Sequence, residues 1–90
     1  MKAQMFNYND WVKETKPEKL FKDYKKKLID SGFGIEGIVE KHFKPFGYTA
    51  LFLLSESHFA IHTFPEEGIS YIELSSCVKK QYDNFIKLNK

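Results

Sequence analysis

The residues able to do chemistry are concentrated in one stretch, Leu53 to Glu66, which reads Leu-Leu-Ser-Glu-Ser-His-Phe-Ala-Ile-His-Thr-Phe-Pro-Glu. Two serines flank Glu56, His58 and His62 stand four apart, and Pro65-Glu66 closes the stretch. Serine hydroxyls become nucleophiles when a base activates them, and imidazole ionises close enough to neutrality to be that base. An apolar run, Tyr48–Leu54, leads into the stretch. Residues 58–63 then alternate, with Phe59, Ile61 and Thr63 on one face of a strand and His58, Ala60 and His62 on the other. A buried strand followed at once by an amphipathic one predicts a tight hairpin with Ser55-Glu56-Ser57 at or beside its bend. A plain core hairpin has little use for small polar residues and a histidine there. Taken singly, each group also has a structural reading: the histidines as ordinary strand residues or a chance metal pair, Cys77 as a small buried hydrophobe, Phe43 and Phe64 as core. Neither a zinc-type helix motif nor a Cys-x-x-Cys accompanies the histidines, so no metal is expected.

The elements that must position this stretch belong to one small domain spanning 1–90. Ninety residues sit near the size where a single core is just sufficient, and nine Phe with five Tyr supply most of it. Domains this small gain core by burying a sheet face against a second copy. The 14 basic residues are all lysine, set against 12 acidic ones. The absence of arginine argues against nucleic-acid reading, where the guanidinium fork is the preferred tool, and Lys25-Lys26-Lys27 reads as a solvated helix face. One cysteine, Cys77, excludes an intrachain disulfide and fits a reducing compartment. Met1–Trp11 lacks a signal-peptide core and no run approaches a membrane span, so a soluble, cytoplasmic protein with no membrane partner is expected.

In chain order, Ala3–Tyr8 is a strand candidate. Thr15-Lys16-Pro17-Glu18 reads as a capping box opening a helix, with Leu20, Phe21, Tyr24 and Leu28 as its apolar stripe and Ile29 at the edge. Ser31-Gly32 ends it through a left-handed glycine. Gly34–Phe43 reads as a strand with Ile35, Gly37, Val39, Lys41 and Phe43 on one face, and Lys44–Gly47 as a turn. Tyr48–Leu54 is apolar on both faces, which predicts a central strand covered on both sides. Pro65–Gly68 is a turn, Ile69–Ser75 a fourth or fifth strand closed by Cys77, and Val78–Leu88 a helix. The order β-α-β-β-β-α predicts an α+β two-layer sandwich, an antiparallel sheet with two helices on one face. The second sheet face then needs a cover, and a second copy supplies it as a homodimer.

Leu54-Ser55-Glu56-Ser57-His58-x-x-Ile61-His62-Thr63-x-Pro65-Glu66-x-Gly68, with Cys77 twenty residues after Ser57, closely resembles the prokaryotic S-adenosylmethionine decarboxylases, pyruvoyl enzymes of polyamine synthesis made as self-cutting proenzymes. Phe43-x-Pro45-x-Gly47-x-Thr49 and the helix end Ser31-Gly32 extend the resemblance upstream, so that it runs from about Phe6 to Cys77. The resemblance implies the S-adenosylmethionine decarboxylase-like fold and self-cleavage between Glu56 and Ser57. Attack of Ser57 Oγ on the Glu56 carbonyl gives an ester, and β-elimination then leaves a pyruvoyl group at position 57 that takes the substrate amine as a Schiff base. His62 matches the processing base and Cys77 the proton donor, with Thr49 and His58 in support. Phe43 and Phe64 match the aromatics that stack adenine, and Glu66 the carboxylate that binds the ribose. The implied cofactor is the pyruvoyl group, and the implied assembly is a homodimer with sites near its interface.

The pattern is departed from at Phe64, where the family usually has Trp, at His42 for Arg, and at Val78 for the Gly of a Cys-Gly pair. The chain stops at Lys90, inside what the resemblance makes the second helix, before the strand that follows there. These departures describe a short, divergent member. Three readings stay open: a decarboxylase of S-adenosylmethionine, one of ornithine or arginine, and a non-catalytic paralogue that regulates a full-length decarboxylase. Retention of Glu56-Ser57, His62 and Cys77 weighs against the last. Phe43, Phe64 and Glu66 favour the first.

Overall fold

Short turns between successive strands force neighbours to pair antiparallel, and the strands from residue 35 to 76 do so in sequence order. The computed structural model describes residues 4–89. Its elements are β1 (Phe6–Val12), α1 (Pro17–Ser31), β2 (Ile35–His42), β3 (Tyr48–Leu54), β4 (Ser57–Phe64), β5 (Ile69–Ser76) and α2 (Lys79–Leu88), with one 3-10 turn at Pro65–Glu67. The sheet order is β1-β5-β4-β3-β2, so β1 closes the far edge by pairing with β5. This is the α+β sandwich expected from the sequence, and the Ile69 strand is its fifth. No helix among the described residues is long and apolar enough to cross a membrane.

Both helices cover one face of the sheet. Leu20, Tyr24 and Leu28 of α1 and Phe85 of α2 are buried against Phe52 and Leu54 of β3, Phe59 and Ile61 of β4, and Ile72 and Leu74 of β5. Phe59 is the hub: its ring lies 5.2 Å from Tyr24, 5.9 Å from Phe52 and 5.6 Å from Phe85, joining both helices to two strands. Burial in this cluster pushes the Tyr24 hydroxyl pKa up to about 12. The opposite face has no cover among the described residues. There β3 shows Leu51 and Leu53 at 47% and 60% exposure, and β2 shows Val39 at 66%. Tyr48–Leu54 is therefore hydrogen-bonded on both edges yet covered on one side, and the middle of the sheet is β4.

Four local expectations are corrected. Thr15 does not cap α1: Pro17 takes the first helical position, which makes Lys16 the N-cap and leaves Thr15 one residue too early. Glu14 Oε2 instead accepts the amides of Thr15 and Lys16, each at 3.0 Å. The first strand runs to Val12 rather than Tyr8, because pairing with β5 holds all seven residues from Phe6↔Ser76 to Val12↔Ser70, and Ala3 lies outside the described residues. The Gly34–Phe43 strand begins at Ile35 and ends at His42. Its face is also split, because a bulge between Ile35 and Gly37 sets Ile35 opposite Leu54 on the helix side and Gly37 opposite Leu53 on the bare side. The end of α1 is as expected: Gly32, at φ 104°, donates to Ile29 O and Phe33 to Leu28 O, a Schellman closure.

Truncating the hub should cost far more than truncating a surface apolar residue. In a Ser57→Ala background, which removes the expected cut, Phe59→Ala should lose about 3–5 kcal/mol in urea unfolding. Ile29→Ser, at an exposed position of α1, should change stability by about 0.5 kcal/mol or less.

Candidate active site

The expected site residues fall into two clusters, one at each end of β4. The first surrounds the hairpin between β3 and β4. Leu54 pairs with Ser57, so Ser55 and Glu56 alone make the turn. Glu56 has φ 57°, a left-handed conformation that side chains with a Cβ rarely adopt. Ser55 is anchored on the other side, its amide donating to Gly34 O at 3.1 Å and its hydroxyl to Glu36 Oε2 at 3.0 Å.

Ser57 opens β4 with its side chain buried on the helix side, directly across from Ser76 of β5. Its hydroxyl donates to Ser76 Oγ at 2.7 Å, and Ser76 Oγ also accepts the Val78 amide at 3.0 Å. The next residue, Cys77, swings back over the turn. Its thiol donates to the Glu56 carbonyl oxygen with Sγ···O 3.2 Å and lies 3.7 Å from Glu56 Oε1. A serine hydroxyl, the carbonyl that precedes it and an S–H donor on that carbonyl are thus gathered at one turn with a left-handed residue.

The second cluster surrounds a cavity of about 270 Å³ lined by Phe43, Phe46, Gly47, Tyr48, Thr49, His62, Thr63, Phe64 and Glu66. Phe43 is held by its amide donating to Gly47 O at 2.8 Å, across a turn that contains a cis Lys44–Pro45 peptide. Gly47 sits at φ 112°, and a Cβ there would meet Phe43 Cβ at 3.6 Å. Glu66 comes from the 3-10 turn that Gly68, at φ 69°, brings to an end. His62 pairs with Thr49 across β3 and β4, and Thr49 Oγ1 lies 2.9 Å from His62 Nδ1, which fixes the imidazole plane. Below, on the helix side, the Tyr48 hydroxyl donates to Glu40, and burial together with that carboxylate raises its pKa. His42, at the Arg position of the resemblance, packs on Tyr48 with ring centroids 4.8 Å apart.

Within one chain the two clusters do not meet. Ser57 and His62 are five residues apart on one strand, roughly 17 Å at the ordinary rise per residue, and the odd spacing puts their side chains on opposite faces. His58, one residue after Ser57, is exposed on the bare face, across from Leu53 and Ser75. An apolar depression of about 460 Å³, lined in part by Gly37, Val39, Leu51, Leu53 and His58, lies on this face beside the hairpin end. Among the described residues no group of three or more His, Cys, Asp or Glu could hold a metal ion.

Sequence reasoning passed over Ser76, Phe46, Trp11 and Tyr71. Ser76 could have been found: the Pro65–Gly68 turn sets the β4–β5 register, and symmetric pairing out from it carries Ser57 to Ser76. Trp11 and Tyr71 had no local signal. They meet through the β1–β5 pairing, with ring centroids 5.1 Å apart, and Trp11 also lies 5.9 Å from Phe64.

The family model described as S-adenosylmethionine decarboxylase matches residues 13–89. An S-adenosylmethionine decarboxylase proenzyme 2 of Bacillus cereus is 45% identical over 47 residues, covering 52% of this chain and 38% of that protein. An S-adenosylmethionine decarboxylase proenzyme of Brevibacillus brevis is 40% identical over 57 residues, covering 59% and 43%. A proenzyme of the same description from Archaeoglobus fulgidus is 38% identical over 56 residues, covering 57% and 50%. The chain spans half or less of the length of these curated relatives. The crystal structure of the adenosylmethionine decarboxylase from Aquifex aeolicus superposes with a TM-score of 0.73 over 97% of this chain and 81% of that one, at 18% identity. At that identity the likeness speaks to the fold alone.

The left-handed Glu56 should carry a measurable strain. In the Ser57→Ala background, Glu56→Gly should raise stability in urea unfolding by roughly 0.5–1 kcal/mol, the steric relief at positive φ exceeding glycine's entropy cost. A loss instead would show that the Glu56 side chain, through its contact with Cys77, stabilises the turn more than the conformation costs.

Proposed function

Because the chain belongs to the S-adenosylmethionine decarboxylase family, pyruvoyl-dependent enzymes made as proenzymes, we propose that it cuts itself between Glu56 and Ser57 and decarboxylates S-adenosylmethionine, the amine-forming step that feeds spermidine synthesis. The observation that carries this reading is the Cys77 thiol on the Glu56 carbonyl, at a turn held at φ 57° and followed at once by Ser57. A strained peptide is easier to break, and the S–H donor polarises the carbonyl under attack.

The cut needs no group from elsewhere for its first step. Ser57 turns from Ser76 and its Oγ attacks the Glu56 carbonyl carbon; the C–N bond is exchanged for a C–O ester and residue 57 keeps a free amine. A base then takes the Cα proton of residue 57, and the Glu56 carboxylate leaves by β-elimination. Water displaces the remaining nitrogen as ammonia, which leaves a ketone at the new N-terminus. Once formed, the pyruvoyl group supplies an electron sink for the bond that releases carbon dioxide. Cys77 Sγ holds the proton that the substrate carbon then requires. Ser76 and Cys77 fit this group, since they stand at the end of β5, across from Ser57 at the start of β4 where it would form.

His62 is the base in this reading, and its distance from Ser57 within one chain makes it the base of a second copy. The bare face supports that assembly: Val39, Leu51 and Leu53 form an apolar patch between the two clusters, and exposed patches of this kind mark interaction surfaces. A two-fold axis over it would carry the His62 end of one copy to the Ser57 end of the other. The cavity at the His62 end supports the adenosyl substrate, because Phe43 and Phe64 offer aromatic faces to a base and Glu66 a carboxylate to the ribose hydroxyls.

Intact-mass measurement should find pieces of residues 1–56 and 57–90, and Ser57→Ala should stay whole. His62→Ala should also stay whole alone, yet become cut when co-expressed with Ser57→Ala chains, whose His62 is intact. Rescue would show a site shared between copies, and its absence would place the base within one chain. If the wild type is never cut, the pyruvoyl reading fails. Phe64→Ala should lower kcat/KM for S-adenosylmethionine by about one to two decades. Carbon dioxide release from ornithine or arginine, with none from S-adenosylmethionine, would overturn the substrate.

A further inference from the structure

We infer that Trp11 is a specificity-determining positioning residue of the pocket at the His62 end, the backing that fixes Phe64 as an aromatic wall for a nucleoside base. The inference rests on the reading of that pocket as an adenosyl site. It concerns a residue that lies before the stretch the family model matches, residues 13–89.

Trp11 contributes little to the core. It lies on the bare face of β1 at 55% exposure, away from the helices. Burying an indole is among the larger apolar gains open to a side chain, and here half of it is forgone. What the ring does touch is the rim of the pocket. Its centroid lies 5.9 Å from Phe64 at 49° and 5.1 Å from Tyr71 at 59°, both within the range of favourable tilted aromatic pairs. Tyr71 in turn lies nearly parallel to His62, 6.3 Å away at 24°, and His62 is bonded to Thr49. Tyr71 is itself tied down by donating to Glu73 Oε1 at 2.9 Å. Phe64, Trp11, Tyr71 and His62 are thus one continuous aromatic layer, of which Phe64 and His62 line the cavity and Trp11 and Tyr71 stand behind.

Phe64 needs such a backing. It is the last residue of β4, next to the 3-10 turn, and a phenyl ring at a strand end has freedom that a packed one lacks. Trp11 limits that freedom from the side away from the cavity, so that the opposite face of Phe64 is presented to a ligand. Loss of Trp11 should therefore weaken nucleoside binding without disturbing the fold. Phenylalanine, which keeps a tilted pair with Phe64, should restore most of it.

As the chain's one tryptophan, Trp11 also reports on its own surroundings by fluorescence. The probe is 5′-methylthioadenosine, which carries the nucleoside and has no carboxylate to lose, titrated into the full chain by calorimetry and by tryptophan emission. Wild type should bind, with emission changing along the same isotherm. Trp11→Ala should bind roughly three- to tenfold more weakly, and Trp11→Phe within about twofold of wild type, the range a tilted aromatic pair supplies. Trp11→Phe should keep the wild-type urea midpoint, and Trp11→Ala should still unfold in one cooperative transition, its midpoint lowered only by the loss of the two ring pairs. Wild-type binding with silent emission and no loss in Trp11→Ala overturns the inference and leaves the pocket reading standing. Absence of nucleoside binding in wild type overturns both. Weak binding by Trp11→Ala that recovers as protein concentration rises assigns Trp11 to subunit assembly and also overturns it.

Discussion

Strand β4 is hydrogen-bonded along both edges, and its period of two is the constraint on which the rest of the molecule depends. Phe59 and Ile61 are pinned beneath the helices by Tyr24, Phe52 and Phe85, so His58, Ala60 and His62 have to face the other way. A slip of one residue would expose the phenylalanine and bury both histidines, which the core cannot accept. The aromatic hub on one side of the sheet therefore sets the orientation of the imidazole on the other. It does so through backbone alone, which is why His62 needs one side-chain partner, Thr49, to complete its placement.

The two ends of that strand are finished in chemically different ways. At the pocket end the neighbouring turns use glycine wherever the backbone is left-handed, Gly47 at φ 112° and Gly68 at φ 69°. At the hairpin end the left-handed position is occupied by Glu56, where glycine would fit without steric cost. A two-residue hairpin also favours turns with positive φ at its first central position, and Ser55 does not adopt one. The chain thus relieves strain where it only has to shape a cavity. It retains strain at the one peptide that lies between an S–H donor and a serine hydroxyl.

Much of this was legible in the sequence because it is local. The stripe Leu20, Tyr24, Leu28 and the stop at Gly32 follow from helical periodicity and one permissive residue, and the alternation of residues 58–63 fixed which side chains share a face. The bulge at Ile35–Gly37 was not legible: Gly34 and Gly37 permit it, but only the pairing of Ile35 with Leu54 and of Gly37 with Leu53 requires it. The Thr15 cap fails for a local reason, since Pro17 at the first helical position moves the cap to Lys16. Trp11 was out of reach for the opposite reason. Its partners, Phe64 and Tyr71, are more than fifty residues away and meet it only because β1 crosses to the far edge beside β5. At the candidate site, the family resemblance singled out Ser57, His62 and Cys77 for the roles proposed above. The alternation read over residues 58–63 stops short of Ser57, and only the start of β4 at Ser57 sends its side chain to the face opposite His62.

The position of the Glu56–Ser57 bond is one at which the proposed cut would leave the fold intact. The bond lies in a two-residue turn, outside the last cross-strand pair, Leu54 and Ser57, so breaking it releases a connection and no inner rung of the ladder. The new end at Glu56 would stay tethered through Ser55, whose amide donates to Gly34 O and whose hydroxyl donates to Glu36. The core is interleaved across the cut: Leu20, Tyr24, Leu28, Phe52 and Leu54 come from the first piece, Phe59, Ile61, Ile72, Leu74 and Phe85 from the second, and every helix–sheet contact of Phe59 with Tyr24 crosses between them. Separating the pieces would expose that whole cluster to water, at about 25 cal/mol for each Å² of apolar surface. Such a cleavage would cost the covalent tether and its loop-closure advantage, while the sheet and the shared core would continue to hold both new ends in register.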